Sequence, residues 1–261
     1  MLFRMVEQTC ERLDALDVQR DTPAMLRQIL AVRPQHETGA LVDAAALALD
    51  GVPVDELRAV LSGAEKKVAA MMVTRVKESA AVARRMVDFI RGDEVSLHVQ
   101  VGLVIALLYF VDPQDLVPDS AAGGYGFVDD AVLLRAGLVE VAHELPPDPL
   151  RDHKLSDDIS MFASVLPPRV VPVLERMVME LQGIVRTLRG NQPGLLSMLR
   201  DQIISTGALA NIPAVPRDAR ISGIFGFPSS GAGRWECGVY FEGRNIIVPG
   251  GPSLIDGKVQ P

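Results

Sequence analysis

The chain has 261 residues, 48% of them hydrophobic, enough apolar material for one large core or two modest ones. Its 33 acidic residues outnumber 26 basic ones, giving a formal charge of -7, which argues against a nucleic-acid partner. The two cysteines, Cys10 and Cys237, stand near opposite ends without a CxxC companion, a pattern that excludes a zinc cluster or disulfide framework and fits a reducing compartment.

Aromatic residues make up only 5% of the chain, so the core is built from Leu, Val, Ala, Ile and Met, a mixture suited to packed helices. The first segment, MLFRMVEQTCERLDAL, carries charge throughout and has no apolar core of the kind a secretory signal needs. Cytoplasmic localisation is the expectation.

Residues 1–92 form the first helical region. Leu2, Met5, Val6, Leu13 and Leu16 recur at helical spacing. Asp21-Thr22-Pro23 reads as an N-cap with proline in the first turn of a helix through Met25, Leu26, Ile29 and Leu30, ended by Pro34. Thr38 to Asp50 and Asp55 to Leu61 are shorter helical patterns. Ala64 to Arg91 is the longest, with Val68, Met71, Met72, Val76, Val82, Met86, Val87 and Ile90 along one side. A methionine-bearing stripe reads first as core packing and second as a partner groove. Glu65-Lys66-Lys67 and Arg84-Arg85 read as solvated faces. No fixed period recurs, which rejects a solenoid.

Residues 93–145 are the centre of the chain. Asp93 is placed to cap a helix whose stretch from Val101 to Val111 carries no charge. A bilayer crossing takes about 20 apolar residues, so this run is expected to be a buried central helix. An acidic elbow follows, and a second apolar helix opens at Asp129-Asp130. After Pro146-Pro147-Asp148-Pro149, residues 146–210 continue the same core. The helices here run from about Ser156, from Pro168 to Arg189, and from Pro193 through Ile203.

From Asn211 the pattern changes. Ile221–Phe227, Arg234–Phe241 and Asn245–Val248 are short, β-branched and aromatic, separated by glycine-rich turns. Residues 211–261 are therefore expected to form a small antiparallel β meander and tail. Two or three strands do not stand alone. The meander should pack on the helices or on another chain, presenting Trp235 and an edge at Ile246-Ile247-Val248.

The elbow concentrates carboxylates at Asp112, Asp115, Asp119, Asp129 and Asp130, a donor set that Mg²⁺ or Ca²⁺ favours. The competing reading is structural. Asp112 precedes Pro113 as a helix cap, Asp119 follows Pro118 in a turn, and Asp129 or Asp130 caps the next helix. Gly123, Gly124 and Gly126 around Tyr125 allow close backbone approach or an anion cradle, but neighbouring aspartates repel phosphate and no P-loop lysine is present. The histidines His36, His98, His143 and His153 lack metal-ligand spacing. His98 reads as a hydrogen-bonded core residue. Ser229-Ser230-Gly231 is too generic for a nucleophile, and no nucleophile–base–acid set follows from spacing.

The run Ala106-Leu107-Leu108-Tyr109-Phe110-Val111-Asp112-Pro113-Gln114-Asp115-Leu116-Val117-Pro118-Asp119, followed by Gly124-Tyr125-Gly126-Phe127-Val128-Asp129-Asp130, resembles the YkvA-like family. This bacterial and archaeal domain of unknown function carries an apolar helix ending in Tyr, a D-L-I/V-P-D turn, a Gly-Tyr or Gly-Phe pair and then Asp-Asp. The resemblance covers about residues 101–140, and extra glycine between Asp119 and Phe127 departs from it. It implies a helical hairpin module, with some members regarded as membrane-associated. It implies no activity and no catalytic residues.

These readings combine into a mainly α protein with a central buried helical hairpin and a small C-terminal β meander. The expected function is a non-enzymatic interaction or scaffold protein, without cofactor, that binds another protein or its own copy. One alternative is a metal-dependent enzyme using the elbow aspartates on a phosphate-bearing substrate. The other is peripheral binding of a membrane surface through the hairpin.

Overall fold

The computed structural model of the protein describes residues 1–34, 63–111, 116–147 and 155–207, scattered positions between 35 and 62, and short segments between 235 and 260. The described fold is mainly helical. Its helices are α1 (Leu2–Asp14), α2 (Val18–Val32), α3 (Ala64–Arg91), α4 (Leu97–Phe110), α5 (Val128–Val141), α6 (Leu155–Val165), α7 (Val171–Leu188) and α8 (Pro193–Thr206). One buried cluster draws side chains from all eight of them, from Leu2 to Ile203. Among the described residues no helix is long and apolar enough to cross a membrane.

The central pair is α4 and α5. Both are buried on nearly every side, α4 almost wholly apolar and α5 with Asp129, Asp130 and Arg135 among its buried residues, which fits a helix only where other helices surround it. In α4, Val99 to Leu107 are all buried; in α5, Val128 to Leu138 are all buried. The two pack at close range, because a Cβ on Gly137 would overlap the side chain and backbone of Ala106. Gly102 of α4 is packed less tightly, where a Cβ would lie 3.1 Å from Val185 of α7 and 3.2 Å from Val141 of α5.

Around this pair sit amphipathic helices. In α1, Leu2, Val6, Cys10 and Leu13 recur every three or four residues and are buried. Arg84 of α3 reaches Glu7 and Asp14, each at 2.7 Å, so one guanidinium ties α3 along the outer face of α1. The methionine stripe of α3 is core: Val68, Met72, Val76, Met86 and Ile90 are buried, and Met71 is partly so.

Several boundaries differ from expectation. Asp17, not Asp21, caps α2: its carboxylate accepts from Arg20 N at 2.8 Å, while Asp21 reaches back to Asp17 N at 2.8 Å. The two acids thus serve both ends of the first turn, and Pro23 falls inside the helix. Ser96 occupies the cap position of α4, so Asp93 lies in the preceding turn. α7 begins at Val171, because Pro167 to Val170 form a separate turn. The helices expected at Thr38–Asp50 and Asp55–Leu61 lie largely outside the described residues.

The β meander is not supported as a fold element. Its first expected strand, Ile221–Phe227, lies outside the described residues. Beyond Gly207 the description is limited to backbone pairings within Trp235–Glu236, Val239–Glu242, Asn245–Ile247, Ser253–Ile255 and Lys258–Gln260. Segments of two to four residues are too short to stand as an independent sheet.

Candidate functional site

The acidic elbow between α4 and α5 folds into a joint. Pro118 O accepts from Ala121 N at 2.8 Å, closing a turn that exposes Asp119 to α1. There Arg12 forms an ion pair with Asp119 and lays its guanidinium over the Phe127 ring, 4.7 Å from the centroid. One arginine of α1 thereby grips both ends of the elbow. Asp129 Oδ2 accepts from the backbone N–H groups of Leu116 at 2.9 Å and Val117 at 3.1 Å.

The expectation that Asp129 or Asp130 caps α5 is therefore corrected. Phe127 holds the cap position, and both aspartates sit in the first turn, favourably placed for the helix dipole. Asp129 satisfies donors of the preceding turn instead. Asp130 is buried. Asp112 and Asp115 lie outside the described residues. Among the described residues no three of His, Cys, Asp or Glu group as metal donors.

The glycines explain how the elbow reaches the core. Gly123 and Gly124 adopt φ of 71° and 79°, the left-handed region that glycine enters without steric cost. A Cβ on Gly123 would strike Met25 N and lie 2.7 Å from Asp21 O; one on Gly124 would lie 2.8 Å from Leu16 Cδ1. The peptide backbone of the elbow lies directly on α2, in the space an anion cradle would need. Tyr125 is pressed inward and donates its hydroxyl to Val165 O at 2.8 Å. Burial raises its phenol well above the ordinary range, so it remains a neutral donor.

Beneath the elbow lies a polar centre that sequence reasoning missed. Arg135 of α5 is fully buried. Its Nε donates to Asp158 Oδ2 of α6 at 3.0 Å, its Nη1 to Ser79 Oγ at 2.8 Å and Ala131 O at 3.2 Å, and its Nη2 to Arg75 O at 3.1 Å. The guanidinium carbon also sits 4.8 Å from the centre of the Phe162 ring. Burial lowers the guanidinium pKa and Asp158 opposes that shift. A guanidinium is basic enough to stay charged in such a setting. The sequence held a signal for it: Arg135 is the single charge in the run Ala131 to Val139.

Arg135 also closes the segment that the comparisons single out. Residues 101–135 match the family described as Protein of unknown function (DUF1232). The match is short and agrees with a partial YkvA-like module. No curated protein and no solved structure matches the chain. The DUF1232 segment thus comprises most of α4, the elbow, and α5 as far as the arginine that anchors it to α3 and α6.

A second polar cluster lies beside the segment. His98 Nε2 is 2.6 Å from Glu144 Oε2, and its Nδ1 is 3.1 Å from Ser96 Oγ. Arg189, the residue that follows α7, reaches Glu144 Oε1 at 2.9 Å. His98 is hydrogen-bonded as expected, but it stands at the rim of the core with its side chain partly exposed. Burial raises the Glu144 carboxyl, but the His98 bond and Arg189 outweigh it and hold the pKa below the ordinary value. Of the residues expected at a β edge, Trp235, Ile246 and Ile247 fall in the short strands, where backbone alone is described; Val248 lies outside the described residues.

Proposed function

We propose that the chain is a cytoplasmic, non-enzymatic interaction or scaffold protein whose DUF1232 segment braces a helical docking face. The observation that carries this reading is on α8. Leu195 and Met198, three residues apart on one helical face, are 50% and 61% exposed. Apolar side chains left side by side in water are a mark of a contact surface more than of a free one. The described elbow bonds agree with a bracing role: Arg12 grips Asp119, and Asp129 accepts from Leu116 and Val117.

In this reading the C-terminal residues supply a second contact. With Asn245–Ile247 paired on both sides, an edge at Ile246-Ile247-Val248 is not available, and an edge strand left to pair with a partner or a second copy would be Trp235–Glu236. Light scattering on the full chain, compared with a Leu195→Asp/Met198→Asp variant, tests the proposal. A wild-type dimer, or a defined complex with a protein from its native cell, that the variant loses supports it. A strict monomer that retains no protein beyond what the variant retains ends it.

A further inference from the structure

At one end of the helical core, α1, α3, α4 and α8 leave a cleft of about 340 Å³. It shares no lining residue with the elbow or with the exposed pair on α8. Phe3, Ile90 and Ile204 supply its apolar lining, and Arg91, Asp93 and Arg200 supply charge. Its size is at the lower end of small-molecule sites.

The polar groups are arranged unevenly. Gln100 is buried, donates to Gly92 O at 3.1 Å, and accepts from Arg200 Nη1 at 2.6 Å. Arg200 is also paired with Asp201 at 2.9 Å, so its position is fixed and its charge is answered. Arg91 is different. Its guanidinium lies over the Phe3 ring, 4.8 Å from the centroid, and it has no carboxylate partner among the described residues. Asp93, two residues on, likewise has no cation partner among the described residues.

An unanswered cation and an unanswered carboxylate lining one small cleft are complementary to a molecule carrying both opposite charges. A bare anion would meet Asp93 and Asp201, and a bare cation would meet Arg91 and Arg200. The C-terminal end of α3 adds partial negative charge beside Asp93, which favours an ammonium there. The planar fork of Arg91, stacked on Phe3, suits a carboxylate. Ile90 and Ile204 leave room for a short apolar side chain.

We propose that this cleft binds a small zwitterion of the α-amino acid class, with its carboxylate on Arg91, its ammonium on Asp93 and an aliphatic side chain against Ile90 and Ile204. The inference is independent of the docking reading, since it involves neither Leu195 nor Met198. The test is a thermal-shift and calorimetric titration of the full chain with L-leucine, with its two halves isovalerate and isoamylamine, and with inorganic phosphate. L-leucine should raise the melting midpoint and each half should do markedly less. Arg91→Gln and Asp93→Asn, both at exposed positions and verified as folded by circular dichroism, should each weaken leucine binding by about tenfold or more. The proposal is overturned if leucine and the other protein amino acids leave the midpoint unchanged. It is equally overturned if phosphate or one half matches leucine, or if both variants bind as well as the wild type.

Discussion

Arg135 and Asp158 meet in the interior, Nε to Oδ2 at 3.0 Å, with the arginine side chain wholly buried and the aspartate nearly so. The pair joins α5 to α6, and the same guanidinium bonds Ser79 and the Arg75 carbonyl of α3. An ion pair in such a place fixes which helices are neighbours, since removing either partner strands the other in a medium that cannot solvate it.

Arg135→Met alone should therefore destabilise the protein by about 3–5 kcal/mol, because the buried Asp158 loses its charge partner at 3.0 Å. Arg135→Met combined with Asp158→Leu should recover most of that loss, as apolar replacement of both partners often does. Urea unfolding of the two variants checks this. A double variant as unstable as the single one would show that the bonds to Ser79 and Arg75, and not the ion pair, hold the helices.

Gly123→Ala and Gly190→Ala separate strain from crowding. Both glycines have positive φ, 71° and 88°, but a Cβ on Gly123 would strike the α2 backbone while one on Gly190 would meet open space. Gly190→Ala should cost about 1 kcal/mol from conformation alone. Gly123→Ala should exceed about 2 kcal/mol, since α2 must also shift. Equal losses in chemical denaturation would mean that the elbow does not rest on α2.

Asp129→Ala removes the acceptor of two backbone N–H groups, Leu116 and Val117, and should lower stability by about 1–3 kcal/mol. The same measurement addresses the cation reading of the elbow. If Asp119, Asp129 and Asp130 act as fasteners, millimolar Mg²⁺ or Ca²⁺ leaves the melting midpoint of the wild type unchanged. A saturable rise with Mg²⁺ or Ca²⁺, lost in Asp129→Ala, would make the elbow a metal site.

Glu144 gives the acid side of the stability profile a defined sign. Its folded pKa is lowered, so its contribution is complete above the unfolded value, about pH 4.3, and fades as pH falls through the folded one. The stability gap between wild type and Glu144→Gln should accordingly narrow below about pH 4. A gap that stays constant from neutral pH into that range would show that the contacts with His98 and Arg189 do not depend on charge.

Tyr125 sets the alkaline side. Its folded pKa is raised by burial, so the neutral phenol's contribution is present below the unfolded value of about 10 and is lost as pH rises above it. Tyr125→Phe should cost about 1–2 kcal/mol at neutral pH, by leaving Val165 O unpaired, and should flatten the alkaline decline. A decline of unchanged steepness in the variant would trace it to another group.

What the sequence determined by itself was local. Helical period, proline and glycine breaks and an uncharged run placed α1, α3, α4 and α8 close to where they fold, because each depends on residues within a few turns of one another. The same reasoning matched about residues 101–140 to the YkvA-like family by their motif, and the family model covers 101–135 of them. It did not find the partner of Arg135, because Asp158 lies far along the chain and only packing of α5 on α6 brings the two together. The roles of Asp119 and Asp129 were likewise decided in three dimensions. A carboxylate's spacing shows that it can cap, but which N–H or guanidinium it meets depends on where α1 and the preceding turn come to rest. Tertiary structure alone chose those partners, since a buried charge is tolerated only where distant parts of the chain converge to satisfy it.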